Sequence, residues 1–281
     1  MRVNESCARC LYDKQTHLTQ DIDYLEEIRN IIENRSENDC SPYLVYLFSQ
    51  VYKRRFGDRK PYSDIKKKYN DLVLSMEEPL KKKITMAEDP LAAALAYARI
   101  GNYIDFGAMN TVEEETFLSL FDEVKLSDRD VSAYESFVKQ CSKAERFLLI
   151  ADNCGEIVLD KIFIEMLQQR FPMLHITIMV RGEEVLNDAT EEDAIYVGLD
   201  KVCRVIGNGN AVAGTVYDLL TEEAKSALDQ ADVILAKGQG NYESLCRQDR
   251  HIFYSFLCKC ELFTSRFDVP KLTGIFIEEM E

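Results

Sequence analysis

Four short runs rich in Gly, Asn and Asp hold the residues best suited to chemistry. They are Asp152-Asn153-Cys154-Gly155-Glu156, Arg181-Gly182 with Asn187-Asp188-Ala189-Thr190, Gly207-Asn208-Gly209-Asn210 with Gly214-Thr215, and Lys237-Gly238-Gln239-Gly240-Asn241. Asp152, Asn153 and Asp188 offer two carboxylates and one amide carbonyl, hard oxygen donors that suit Mg²⁺ or Mn²⁺. Lys237 adds a positive charge for an anionic substrate group. Glycines such as Gly209 and Gly238 let backbone N–H groups approach phosphate oxygens, and a helix starting near Gly155 adds a positive dipole end. Together these groups serve phosphoryl chemistry, whose transition state is mostly negative charge to be stabilised. Turn formation alone accounts for any one run. Four on one edge, with a lysine directly after an apolar strand, point to a site.

The four runs meet only if the chain between them folds in a particular way. From Arg146 onward, short apolar stretches alternate with amphipathic ones, and the pattern predicts strands at Phe147–Ala151, Ile176–Val180, Val202–Ile206, Val233–Ala236 and Ile252–Leu257. Between the first two, Val158, Leu159, Ile162, Phe163, Met166 and Leu167 form a helical stripe, and Glu156, Asp160, Lys161 and Glu165 are expected to face outward. Strands alternating with helices imply βαβ units and a three-layer α/β fold with a mainly parallel, Rossmann-like sheet. Such sheets bind ligands at the carboxyl ends of their strands, where all four runs fall. Before about Ser142 the pattern is helical, as in Pro61–Met76 and Asp89–Ile104. The expected division is a helical N-terminal domain, 1–142, and an α/β metal-binding domain, 143–281.

Composition narrows the partners. With 34 Lys plus Arg against 49 Asp plus Glu, the net charge of −15 repels nucleic acid and anionic membranes. No apolar run approaches a membrane span, and Met1–Gln15 lacks a signal-peptide core, so a cytoplasmic location is expected. The clusters Lys66-Lys67-Lys68 and Lys81-Lys82-Lys83 read as solvated helix faces. Nine cysteines, an odd count, suit free thiols in a reducing compartment. Cys7 and Cys10 form a C-x-x-C pair that Cys258 and Cys260 could complete as a second metal site, with ordinary thiols favoured. Three scattered histidines give a histidine-rich metal site little support. There is no P-loop motif, and Val212 stands where a dinucleotide fingerprint needs its third glycine. Cys154 likewise displaces the second acid of an aspartyl-phosphate motif.

The run Asp152-Asn153-Cys154-Gly155-Glu156-Ile157-Val158 resembles the D-N-x-G-E signature of the metal-dependent damage-control phosphatases, formerly domain-of-unknown-function family eighty-nine, in their prokaryotic stand-alone form. The likeness extends through Arg181-Gly182, Leu186–Thr190, Ala236–Glu243, Gly101–Gly107 and the opening Cys7-Ala8-Arg9-Cys10, so it spans nearly the whole chain. It implies an α/β phosphatase that hydrolyses small phosphate esters, with Asp152, Asn153 and Asp188 holding Mn, Mg, Co or Ni and Lys237 contacting the substrate phosphate. Cys154, where many relatives carry a small apolar residue, is the one departure. Asn208, Gly209 and Gly238 join the expected substrate cradle. Glu156 reads equally as a general base or a helix N-terminal carboxylate, and Arg181 as a substrate grip or a surface ion pair. Asn102 and Asp105 reach the rim or merely end a helix. Two other readings stand beside the phosphatase. One is an S-adenosylmethionine-dependent carboxyl methyltransferase, supported by the glycine-rich Gly207–Gly214; the other is a non-catalytic metal-binding module.

Overall fold

The computed structural model describes residues 1–104, 114–121, 124–246 and 248–279. Three helices open the chain: α1 (Glu5–Leu18), α2 (Ile22–Glu33) and α3 (Ser41–Phe56). Side chains cap two of them, since Asn4 accepts from Cys7 N at 2.8 Å and Asp21 from Tyr24 N at 2.7 Å. Their apolar faces meet around Tyr24, Ile28, Leu44 and Phe48 in a core of their own.

Four more helices precede the sheet: α4 (Ser63–Thr85), α5 (Pro90–Gly101), α6 (Glu114–Ser119) and α7 (Val131–Cys141). Helix α4 runs beyond the expected end at Met76 and continues through Pro79. Helix α5 has Pro90 in its first turn and Asp89 as its cap, accepting from Leu91 N and Ala92 N at 3.1 Å.

The second part alternates: β1 (Arg146–Ile150), α8 (Glu156–Arg170), β2 (His175–Val180), α9 (Glu191–Tyr196), β3 (Arg204–Gly207), α10 (Glu222–Gln230), β4 (Val233–Lys237), α11 (Gly238–Leu245), β5 (Ile252–Leu257), α12 (Glu261–Phe267) and β6 (Gly274–Glu279). The sheet order is β3-β2-β1-β4-β5-β6, parallel except for β6, which runs antiparallel to β5. Five of these strands follow the sequence pattern; β6 is additional. From β1 the chain moves outward to β2 and β3, then returns to β4 on the other side of β1. A crevice therefore opens between the loops after β1 and β4.

Alternate residues of the central strands enter different cores, as a period of two requires. Phe147 and Leu149 of β1 pack with α4, α5, α7 and α8, whereas Leu148 and Ile150 pack with α10, α11 and α12. The first of these cores corrects two expectations. Helix α8 lies between the sheet and helices α4 and α5, so residues 156–164 leave no face to water. Glu156, Asp160 and Lys161 are buried and Glu165 is half-buried, rather than facing out. Each needs a partner: Lys161 Nζ lies 2.7 Å from a Glu77 carboxylate and Glu165 lies 2.6 Å from Lys81. Of the supposed solvated lysines, Lys66 is buried and paired with Asp193 at 2.6 Å. No helix among the described residues is long and apolar enough to cross a membrane.

Candidate active site

Asp152 and Asn153 follow directly after β1, and backbone pairing brings Asp188 beside them. Ala189 N donates to Asp152 O at 2.8 Å, Cys154 N to Asn187 O at 2.9 Å, and Arg181 N to Ala189 O at 2.9 Å. An isolated bridge then sets Asn153 opposite Asp188. Local chain geometry thus gathers the three expected ligands, all buried.

Arg181 is neither a free grip nor a surface ion pair. Its buried guanidinium joins the two carboxylates, with Nε 2.7 Å from Asp188 Oδ2 and Nη2 3.4 Å from Asp152 Oδ1. Nη1 reaches Gly214 O at 3.0 Å and Asn241 Oδ1 at 3.3 Å. Asn241 in turn donates to Ala151 O at 3.1 Å and Lys237 O at 2.7 Å, tying the β4 loop to the end of β1.

Glu156 and Asn102 approach from below. Asn102, which caps the C-terminus of α5, is fully buried and accepts from Leu257 N at 3.1 Å. Its Nδ2 donates to Asp152 Oδ2 at 2.9 Å and Glu156 Oε2 at 3.2 Å. Asn153 Nδ2 reaches the same two oxygens at 2.7 and 3.2 Å. Asn187 Nδ2 donates to Asn153 Oδ1 at 3.1 Å. Asp105 lies outside the described residues.

The expected place of Lys237 needs correction. Its ammonium does not stand over the rim but turns under it, 2.6 Å from Asp160 Oδ1, 2.7 Å from Glu156 Oε1 and 3.1 Å from Ala98 O. The reason is electrostatic: two carboxylates that α8 buries here require a positive partner. Burial alone would lower the Lys237 pKa, but Asp160 and Glu156 outweigh it and hold it above its ordinary value. Burial pushes the Asp160 carboxyl up to about 7, with Lys237 pulling against that shift and Glu156 adding to it.

Glycines make this packing possible. Gly238 takes φ +78°, and a Cβ there would sit 2.0 Å from Asp152 Oδ2. Asn208 accepts from Gly182 N at 2.8 Å and Asn210 N at 3.1 Å, pinning the ends of β2 and β3 together. Its buried Nδ2 has no hydrogen-bond partner among the described residues. The glycines of 207–214 are filled by protein: a Cβ on Gly207 would meet Glu191, one on Gly209 would meet Thr221, and one on Gly214 would meet Gly240 O. That contact set gives the S-adenosylmethionine reading no support. Gly155 N, at the start of α8, donates to Asn70 Oδ1 at 2.7 Å.

Asn70, Asp160, Asn187 and Asn241 complete the site without having been singled out for a role. Asn187 and Asn241 stood within the quoted runs, whereas Asn70 carried no local signal. Asp160 could have been found from α8 itself, where it lies one turn beyond Glu156 with only Ile157, Val158 and Leu159 between them.

The donor set fits a divalent cation. Asp152, Asp188, Glu156 and Asp160 face Arg181 and Lys237, so this group of six carries a formal −2 that such an ion would offset. Among the described residues no three His, Cys, Asp or Glu side chains cluster as a metal site. The triad expected here has only two acids, its third donor being the Asn153 amide. All nine cysteines are free thiols. Burial, with Glu243, Cys260 and Cys10 nearby, pushes Cys7 up to about 11, and burial pushes Cys258 up to about 12.

Comparison with known proteins places this geometry among relatives. A family model described as "Damage-control phosphatase ARMT1-like domain" matches residues 3–273. A damage-control phosphatase of Pyrococcus horikoshii is 29% identical over 96% of both chains. One from Archaeoglobus fulgidus is 28% identical over 93% of both. The crystal structure of a DUF89 family protein from Pyrococcus horikoshii superposes with a TM-score of 0.80 at 28% identity, covering 99% of each chain.

Proposed function

The chain belongs to the damage-control phosphatase ARMT1-like domain family, and from that membership we propose that it is a metal-dependent phosphatase releasing phosphate from small phosphate esters, whether sugar phosphates or damaged phosphometabolites. The observation that carries the reading is the convergence of Asp152, Asn153 and Asp188 at adjacent strand ends. These three residues would hold Mn, Mg, Co or Ni. When bound, such an ion supplies Lewis-acid charge against the negative charge that develops on the phosphoryl group.

This chain's own residues do the rest. Arg181 neutralises part of the charge of Asp152 and Asp188 and holds both carboxylates in one orientation. Asn102 and Asn153 fix Asp152 Oδ2 from the other side. Asn208 keeps a buried and unmatched Nδ2 after β3 that would serve as a donor to a substrate oxygen.

A metabolite panel tests this directly. Phosphate release from phosphomonoesters is expected with at least one of Mn²⁺, Mg²⁺, Co²⁺ and Ni²⁺, and chelation should remove it. Release that survives chelation would overturn the metal dependence. Silence across the whole panel with every metal would overturn the phosphatase reading.

A further inference from the structure

We infer that Lys237 is a positioning residue that acts through Glu156 to hold Asn153 and Asp152, and is not the group that meets the substrate phosphate. The inference rests on the reading of Asp152, Asn153 and Asp188 as the reactive centre.

An ammonium has three N–H groups. Lys237 Nζ donates to Asp160 Oδ1 at 2.6 Å and to Ala98 O at 3.1 Å, and Glu156 Oε1 faces it as an ion-pair partner at 2.7 Å. All three charged side chains are 0% exposed. Lys237 is the last residue of a wholly buried strand, and the α8 turn beneath it brings Glu156 and Asp160 to the same ammonium. A phosphate could take Lys237 only by stripping a buried carboxylate of its counter-charge, which is costly.

Glu156 passes this constraint upward. While Oε1 faces Lys237, Oε2 accepts from Asn153 N at 3.3 Å, Asn153 Nδ2 at 3.2 Å and Asn102 Nδ2 at 3.2 Å. The Asn153 side chain is therefore committed: its NH₂ points to Glu156 and Asp152, and its carbonyl, which accepts from Asn187 Nδ2 at 3.1 Å, keeps its second lone pair for a cation. Loss of charge on Glu156 weakens its hold on that amide and leaves the Asp152 and Asn187 contacts to orient it, which loosens the aim of the carbonyl at the cation. Glu156 is wholly buried, with Oε1 in the ion pair to Lys237 and Oε2 holding the amides, so it is a support for the site rather than its general base.

The test measures Mn²⁺ affinity by calorimetry on chelator-stripped protein, with melting temperature as a fold control and inorganic phosphate as a competitive inhibitor. Glu156→Gln keeps the side-chain shape and is expected to weaken Mn²⁺ binding about tenfold or more, the scale of losing a residue that orients a metal ligand. Lys237→Met should weaken it similarly, and the Lys237→Met/Glu156→Gln double variant should be no worse than either alone, because both act through one contact. Full Mn²⁺ affinity in a folded Lys237→Met variant would overturn the inference, and so would weakened phosphate inhibition at saturating Mn²⁺. So would additive losses in the double variant. If Lys237→Met fails to fold, Glu156→Gln decides alone, and unchanged Mn²⁺ affinity there overturns the inference. Asp152→Ala is the control for the underlying reading. Mn²⁺ binding that survives Asp152→Ala defeats the assigned metal centre, whereas loss there with retention in Glu156→Gln defeats only the role given to Lys237 and Glu156.

Discussion

Asp152→Ala is expected to lower kcat/KM for phosphate release by about a thousandfold or more, the upper range for losing a single electrostatic stabiliser. Asp152 is held from three sides, by Asn102, Asn153 and Arg181. The melting temperature should change little, since Arg181 keeps Asp188 at 2.7 Å and the two amides have Glu156 as an alternative acceptor. Asp188 differs in this respect. Asp188→Ala removes the nearer partner of a buried guanidinium, a class of change that costs about 3–5 kcal/mol. For that position Asp188→Asn is the cleaner variant, keeping an acceptor for Arg181 while removing the charge a cation needs. Steady-state kinetics and thermal melts on both variants check this. Near-normal turnover at saturating metal in either would remove that residue from the centre.

Gly238→Ala should separate activity from stability in the opposite sense to a core mutation. The new methyl group would lie 2.0 Å from Asp152 Oδ2, so the carboxylate must move or the β4–α11 turn must open. Asp152 resists because three neighbours hold it, and φ +78° is itself unfavourable for Ala by roughly 1–2 kcal/mol. A displacement of about 1 Å at a reacting group costs about a hundredfold in rate. Activity should therefore fall about a hundredfold while the protein still melts cooperatively a few degrees lower. A variant with wild-type kcat/KM would show that Asp152 tolerates the shift and that its position is not critical.

Much of this architecture could be read from one sequence. Short apolar runs bounded by Gly and Asn mark β1 to β5, and the rule that parallel sheets bind at strand ends brings Asp152, Asn153 and Asp188 together. What escaped was the direction in which charged side chains point. Periodicity assigns Glu156 and Asp160 to water because they interrupt an apolar stripe, yet α8 is covered on both sides and they turn to Lys237. A one-dimensional pattern cannot register a second layer supplied by α4 and α5, whose residues lie far away in sequence. The same blindness hides the pairing of Lys237 with Glu156 and Asp160, although the strand before it is plain in the pattern. Arg181 shows another form of it, since a buried arginine between two carboxylates looks locally like any arginine after a strand. β6 was missed because an edge strand near the end, paired only with β5, carries little patterning of its own.

The central placement of β1 also governs when the protein can work as the chain is made. Arg146 N at the start of β1 pairs with Asp232 across a sequence separation of 86 residues, Lys237 reaches Ala98 across 139, and Leu257 reaches Asn102 across 155. Contacts this distant form late, because the entropy of closing long loops must be met before they contribute. The helices α1 to α5 can form early, whereas the carboxylate cluster has no defined shape until β4 and β5 have emerged and docked. In refolding experiments, helical signal should therefore recover well ahead of Mn²⁺ binding. During synthesis the acidic centre stays open and unassembled until β5 has been made.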